Sequence, residues 1–515
     1  MAVFTKTLTF DYGAGQFVDV QQDAVDPPSF EGFTPIIPVT EGDRQSRLIY
    51  VSSSQGDDLN DGLSEATPVA SLAAGFGLMR RGYPDHCYFK CGDVWTEVPE
   101  SNSGYLKGSE DENNKSVLAS YGEGPRPEFR DITFRQDGSA GGSLVINQMM
   151  WVGLYFHSYV DDVEENPGFD PALTSPRGHR FVGNHIGLHI EDCKFRYFKF
   201  YWQGLAGGIE SPKDLTIRRC IFDGIYEVGS SISRNSRPSL IFTSYTAGFI
   251  LIEDNVFDKG GWHKDVFNAS ANLLAHNIYM YHVNSNNCIF RNNISCRASS
   301  HGYLGRNGGL IQDNFLGRNS LGLNCGHNDR PFEVGMIGHV YNNVCNEGVN
   351  MFKGTNPTRY YEGASICSSA VFGITLEGYG VGDVIADGNI SSLIGPDTNQ
   401  WQEFFTILIK KFLEYNDESG GSPVTATNQV GYHWNSDTQG DEFNYPDPNR
   451  TLGEYYTENI DQNALVSQGV IDQVYAGEND FDGNNEFDTF MLVAKNRNAG
   501  TWSADLTAIN VNAYI

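Results

Sequence analysis

The chain is short of positive charge: 35 Lys and Arg stand against 64 Asp and Glu, a formal balance of −29 over 515 residues. Nucleic-acid backbones repel such a surface, because they are bound by clustered Lys and Arg, so nucleic acid is excluded as an expected partner. No apolar run approaches the roughly 20 residues that span a bilayer, and no membrane insertion is expected. Heptads are missing, as are a Gly-x-Ser-x-Gly elbow, a phosphate-binding loop and a dinucleotide fingerprint. The nine cysteines are an odd set without regular spacing. Cys87 and Cys91 have no second pair to complete a zinc framework, so they read as small buried apolar residues and no metal centre is expected. The opening MAVFTKTLTFDYGAGQF has no basic segment followed by an apolar run, so it does not read as a secretory leader.

What is there is a repeat. The segments IEDCKF, IRRCIF, IEDNVF, FRNNIS, IQDNFL and VYNNVC carry an apolar residue followed three positions later by Cys or Asn. The aligned positions are Cys193, Cys220, Asn255, Asn293, Asn314 and Asn343, with a looser copy near Asn389. Stacked coils of three short strands produce a period of roughly 20 to 25 residues with variable loop insertions. Asparagine at one turn of successive coils can form a ladder, each amide bonding the next. Alternation within each unit directs Ile, Val and Phe inward. The expected fold is therefore all-β, a parallel β-helix solenoid.

Three regions follow. Residues 1–46, with Pro27, Pro28, Pro35 and Pro38, read as an arm or attachment segment, since proline withholds amide donors from a sheet. Residues 47–396 carry the solenoid. Its open end would be plugged by a short helix in SLAAGFGLMRRG, with Ser71 as N-cap and Leu72, Phe76 and Met79 at helical spacing. Residues 397–515 read as a C-terminal region whose helices, QEFFTILIKKFLE, FDTFMLVAKNR and WSADLTAINVNAYI, would cover a coil end.

The run LIYVSSSQGDDLNDGLSEATPVASLAAG resembles the opening of right-handed β-helix proteins of the pectate-lyase-like superfamily. The block HNIYMYHVNSNNCIFRNNISCRASSHGYLGRNGGLIQDNFLGRN and the ending from RTLGEYYTENI are similar to segments of bacterial and phage-encoded members. The resemblance covers about two thirds of the chain. It implies a right-handed coil and a polysaccharide ligand, and is weak on reaction type, because this scaffold hosts lyases, hydrolases, epimerases and pure binders.

Local charge contrast singles out one stretch. Between His276 and Arg318 lie Arg291, Arg297 and Arg306, with His282 and His301, against the single acid Asp313. Side chains from stacked coils converging on one lateral face would make a cationic patch suited to a uronate polymer; the alternative is that each Arg pairs with an acid on a neighbouring coil. In AHNIYMYHV, core-facing Ile278 and Met280 would send Asn277, Tyr279 and Tyr281 outward as a sugar platform. His301 is the expected general base, its ordinary pKa lying near neutrality. Arg306 and Arg297 would neutralise a substrate carboxylate, with Tyr281 as an alternative base and Tyr279 or His276 protonating the leaving oxygen. Asn277, Arg291, Arg318, Trp262 and His263 are the expected substrate contacts.

A second constellation, IEDNVFDKGGWHKD, offers the carboxylates Asp254, Asp258 and Asp265 for a glycoside hydrolase, where the separation of a pair sets the stereochemistry. The loop GDDLNDG has oxygen density suited to Ca²⁺ but lacks the EF-hand spacing, and a plain Asx-rich turn is the preferred reading. The expectation is an extracellular or virion-associated lyase that cuts an acidic polysaccharide by β-elimination. The alternatives are a hydrolase and a phage tailspike-type glycan binder, which would be a homotrimer. The missing leader fits release by lysis or a leader already removed.

Overall fold

The computed structural model describes residues 7–11, 16–20, 32–97, 105–138, 145–175, 177–205, 211–228, 238–267, 269, 271, 274–281, 287–326, 338–348, 372–377, 384–392, 424–427, 430–432, 451–460 and 485–515. Alternating apolar residues in the repeat pair coil upon coil into three parallel walls. A typical coil runs through Ile186–Glu191 on the first wall, Lys194–Arg196 on the second and Phe198–Gln203 on the third, then returns to the first at Lys213–Arg218. Among the described residues the first wall has twelve strands, Leu48–Val51 to Val424–Thr427; the second eleven, Val94–Trp95 to Val430–Tyr432; the third eight, Arg135–Gly138 to Phe372–Glu377. The chain is a right-handed parallel β-helix, the hand that twisted parallel strands favour in their crossovers. Its walls continue past residue 396 in the strands Val424–Thr427 and Val430–Tyr432.

Identical residues stack because each strand pairs in register with the next. On the second wall Phe129, Phe156, Phe195, Phe222 and Phe257 occupy one inward position. Their successive ring centroids are 5.2, 5.3, 4.6 and 5.0 Å apart. Offset stacking of this kind adds about 0.5–1.5 kcal/mol per pair to the burial itself.

The repeat's Asn positions form the expected ladder at the turn from first to second wall. The Nδ2 of Asn255 donates to Oδ1 of Asn293 (3.0 Å), and Asn293, Asn314 and Asn343 continue to Asn389 at 3.1, 2.8 and 3.0 Å. Oδ1 of Asn255 accepts from the amide of Cys220, where the ladder gives way to buried thiols. The residue before each rung, Asp254, Asn292, Asp313 or Asn342, is left-handed at φ 52–56°. Asp and Asn tolerate that conformation, which explains the recurring Asp-Asn and Asn-Asn pairs.

Helix α1, Leu72–Leu78, starts at Ser71, whose hydroxyl accepts from the Ala74 amide at 3.1 Å. It buries Leu72 and Phe76 in the core beside Ile49 and Val51, as expected of an end cap. The C-terminal helices α2 (Leu452–Asn459), α3 (Asn485–Asn496) and α4 (Ala508–Tyr514) differ from the expectation of covering a coil end. They lie along the side, burying Leu452, Phe490, Met491 and Val511 with Val256, Ile294, Phe315 and Val344 of the second wall's outer face. That column is apolar on its outward side, so water would meet a greasy stripe without the helices. The expected helix QEFFTILIKKFLE lies outside the described residues. The arm docks on the first wall: Glu191 Oε1 accepts from Thr34 N (3.0 Å), and Arg218 donates to Gly32 O (2.8 Å).

Candidate functional site

Register places a row of aromatic rings on the outer face of the third wall. Tyr201 pairs with Phe242, and Phe242 with Tyr279, while their inward neighbours Phe200, Trp202, Ile241, Ile278 and Met280 fill the core. Ring centroids along the row are 5.5 and 5.3 Å apart. Tyr281 lies 5.8 Å from Tyr279 at right angles to it, and Tyr245 is 6.4 Å beyond. The row is half-exposed at Tyr201, Phe242, Tyr245 and Tyr281, whereas Tyr279 is buried. Two cations border it: Lys199 Nζ at 5.1 Å from the Tyr201 ring and the Arg306 guanidinium at 5.7 Å from Tyr279.

Two imidazoles stand beside the row. His276 is buried, its ring 5.0 Å from Tyr279 and 5.1 Å from the half-exposed His301. The His301 amide donates to Nδ1 of His276 at 3.3 Å, which makes that nitrogen an acceptor and places the His276 proton on Nε2. Nδ1 of His301 also lies 3.3 Å from Nδ1 of His276, and 3.1 Å from the Ser300 hydroxyl.

The structure brings His276, His301, Tyr279, Tyr281 and Arg306 together and disperses the other expected residues. The shared cationic face is not formed. Arg291 lies on the first wall, paired with Glu253 at 2.7 Å. Arg297 and Arg318 occupy the corner between second and third walls, left-handed at φ 50° and 51°. Arg297 is buried between Asp258 and Asp488 of α3, its Nη1 2.6 Å from the latter, and Arg318 reaches Glu347 at 3.1 Å beside the Phe487 ring. Their positive charge is spent internally, because acids from neighbouring coils and α3 face them. Asn277 is a buried turn amide, accepting from Gly260 N and donating to Cys296 O, and does not face outward. Trp262 is buried and donates to Arg297 O, while His263 bonds the Tyr197 hydroxyl at 3.0 Å.

The hydrolase carboxylates do not assemble into a pair around an open cleft. Asp254 sits in a ladder turn bonded to Asn292, Asp258 is locked between Arg297 and Lys495, and Asp265 is exposed in a separate loop. In GDDLNDG, Asp57 accepts from the Leu59 amide and Asp61 from that of Leu63, the pattern of Asx turns, while Asp58 reaches across to accept from the Ala70 and Ser71 amides.

Sequence reasoning missed a polar cluster on the second wall, where Arg130, His157, Arg196 and Asp223 stack in register. Among the described residues, His157, Asp162 and Glu165 alone group three ligand atoms within 4.8 Å. Arg196 already occupies that position, donating to Asp162 at 2.6 Å, so a cation is in place. Burial raises Asp161 to about 6, against hydrogen bonds from Ser158 and the Ser175 amide. Each charge here meets a partner, and the cluster reads as a buried ion lattice. Tyr201, Phe242 and Lys199 were also missed; their signal was the alternation in FKFYWQ and IFTS.

No family model and no curated protein matches the sequence. Among solved structures, the chain is similar to the GH136 lacto-N-biosidase from Eubacterium ramulus at 12% identity and a TM-score of 0.36, over 67% of this chain. That match spans 64% of the enzyme, under two thirds of its length. A rhamnogalacturonan lyase matches at 14% identity and TM-score 0.36, over 69% of this chain and 84% of its own. A pectate lyase matches at 12% and 0.28, over 81% and 86%. The parallel β-helix itself rests on the strand pairing of this chain.

Proposed function

We propose that this protein binds an acidic polysaccharide along the aromatic row of the third wall and cleaves it by β-elimination. The carrying observation is the convergence, on one wall, of an imidazole pair, two tyrosines and Arg306. Sugar rings would lie on Tyr201 and Phe242, one coil apart in register, and on Tyr281, 6.1 Å from Phe242. Arg306 would pair with the uronate carboxylate, so that charge building up on it during proton removal is neutralised. Nε2 of His301 takes the C5 proton, the C5 electron pair forms the C4=C5 bond, and the C4–O bond breaks. The departing oxygen receives its proton from the Tyr281 hydroxyl, and solvent restores both residues.

The test is ultraviolet absorbance on polygalacturonate, alginate and hyaluronate, since the conjugated unsaturated product absorbs and a hydrolysis product does not. We expect absorbance to rise with wild type and to be lost with His301→Ala. Reducing ends without absorbance would overturn elimination, and binding without product would return the protein to a non-catalytic, tailspike-like glycan binder.

A further inference from the structure

The corner between first and second walls changes character along the solenoid. From Asp192 to Asn342 its left-handed turn residues carry side chains, including Arg219, Asp254, Asn292 and Asp313, and Gly388 makes the corner of a later coil. In the first coils the same corner is made by Gly92, Gly122 and Gly153, at φ 82°, 76° and 68°. A Cβ added at Gly92 or Gly122 would meet nothing within 4 Å. At Gly122 the corner is therefore stripped to backbone facing open space, whereas at Gly153 the Ser120 hydroxyl already fills the room a Cβ would take. Two outer segments wall that space in: the docked arm contributes Phe33, Thr34 and Ile36, and the loop after α3 contributes Asn498, Ala499 and Gly500. The result is a cavity of about 760 Å³, within the range that holds a small ligand.

We propose that this cavity is a second saccharide site, separate from the third wall, and that it takes an uncharged sugar. Its lining contains no Lys or Arg, so nothing in it would neutralise a uronate carboxylate. Asp192 also lines it, but that charge is answered by Arg126 at 2.7 Å and by the Gly500 amide at 2.7 Å. This leaves Glu123, exposed at the rim, with the Ser120 hydroxyl and the Asn498 amide, to exchange hydrogen bonds with sugar hydroxyls. Phe33, Ile36, Val152 and Pro125 supply apolar surface for the C–H face of a pyranose. The site goes beyond the proposed cleavage, and would anchor a neutral stretch or branch of a mixed polymer while the third wall handles its acidic units.

The experiment is binding of neutral β-1,4-linked glucose and galactose hexasaccharides, with trigalacturonate as the acidic comparison, by ligand-observed NMR and calorimetry. The full-length protein is used, with Ala499→Trp to fill the cavity and Glu123→Gln to remove the rim charge. We expect a neutral hexasaccharide to bind wild type, and Ala499→Trp to weaken it by at least about tenfold, as loss of a stacking contact and its hydrogen bonds would. Glu123→Gln should weaken it less, with melting temperatures of both variants near wild type. No neutral binding, or binding unaffected by Ala499→Trp in a folded variant, overturns the proposal. Trigalacturonate binding that Ala499→Trp abolishes would overturn the charge assignment. Activity on acidic polymers, if present, should persist in both variants, so failure here is distinguishable from failure of the third-wall reading.

Discussion

Arg297 and Arg306 lie nine positions apart in one short basic stretch, yet the fold gives them opposite circumstances. Arg297, at the corner beside the second wall, is buried between Asp258 and Asp488 with the Phe487 ring nearby. Arg306, following a third-wall strand, is half-exposed beside Tyr279. The second wall carries an apolar outer stripe and so recruited helices, whose acids and bases had to be matched; the third wall presents aromatic edges and imidazoles. Charge in a local stretch therefore says little until the wall that receives each side chain is known.

The sharpest way to break this contrast is to truncate each arginine. Arg297→Ala removes the buried guanidinium that Asp258 and Asp488 share, leaving Lys495 on Asp258, and should cost about 3–5 kcal/mol, read as a drop in melting temperature. Arg306→Ala should leave melting within about 0.5 kcal/mol of wild type, while lowering kcat/KM on an acidic polymer by about a hundredfold. Equal destabilisation by the two substitutions would erase the distinction between the walls. In the interior both walls share one core, so Phe222→Ala should cost about 3–5 kcal/mol by urea unfolding, the usual range for a buried ring.

Smaller effects sharpen the picture. Asn314→Ala removes one rung and takes the acceptor from the buried Asn293 backbone amide, an expected loss of about 1–3 kcal/mol. Acid should loosen the arm: burial pushes the Glu191 carboxyl up, but hydrogen bonds from His189 and Thr34 and the Arg218 charge outweigh it and hold it at about 2. A depressed carboxyl contributes stability above the ordinary Glu value of about 4.3, lost as pH falls through about 2. Melting measured across that window should fall less steeply in Glu191→Gln than in wild type; identical slopes would remove Glu191 from the acid response.

The solenoid was legible because its signal is periodic. Each rung of Cys193, Cys220, Asn255, Asn293, Asn314 and Asn343 repeats the same local problem, a turn whose buried amides need a partner, so the answer recurs in the chain. The parity of Tyr281 was legible too, since Ile278 and Met280 fix the alternation, although Tyr279 on the same face is buried. Partners across walls left no such trace: Asp488 meets Arg297 from a helix 191 positions away, and Lys495 meets Asp223 across 272. Trp262 and Asn277 misled for a related reason, being placed at turns where burial is decided by the next coil.

Sequence by itself determined that this chain would wind into stacked coils, which residues would line the interior, and where an amide ladder and an end cap would stand. Those features depend on alternation and on bonds between equivalent positions, both written at short range. Tertiary structure alone decided that the C-terminal helices would lie along a side wall, that Arg291, Arg297 and Arg318 would be consumed in ion pairs, and that His276 would meet His301. Such pairings depend on how far apart two outer surfaces settle once the coils are stacked, a quantity no local pattern encodes.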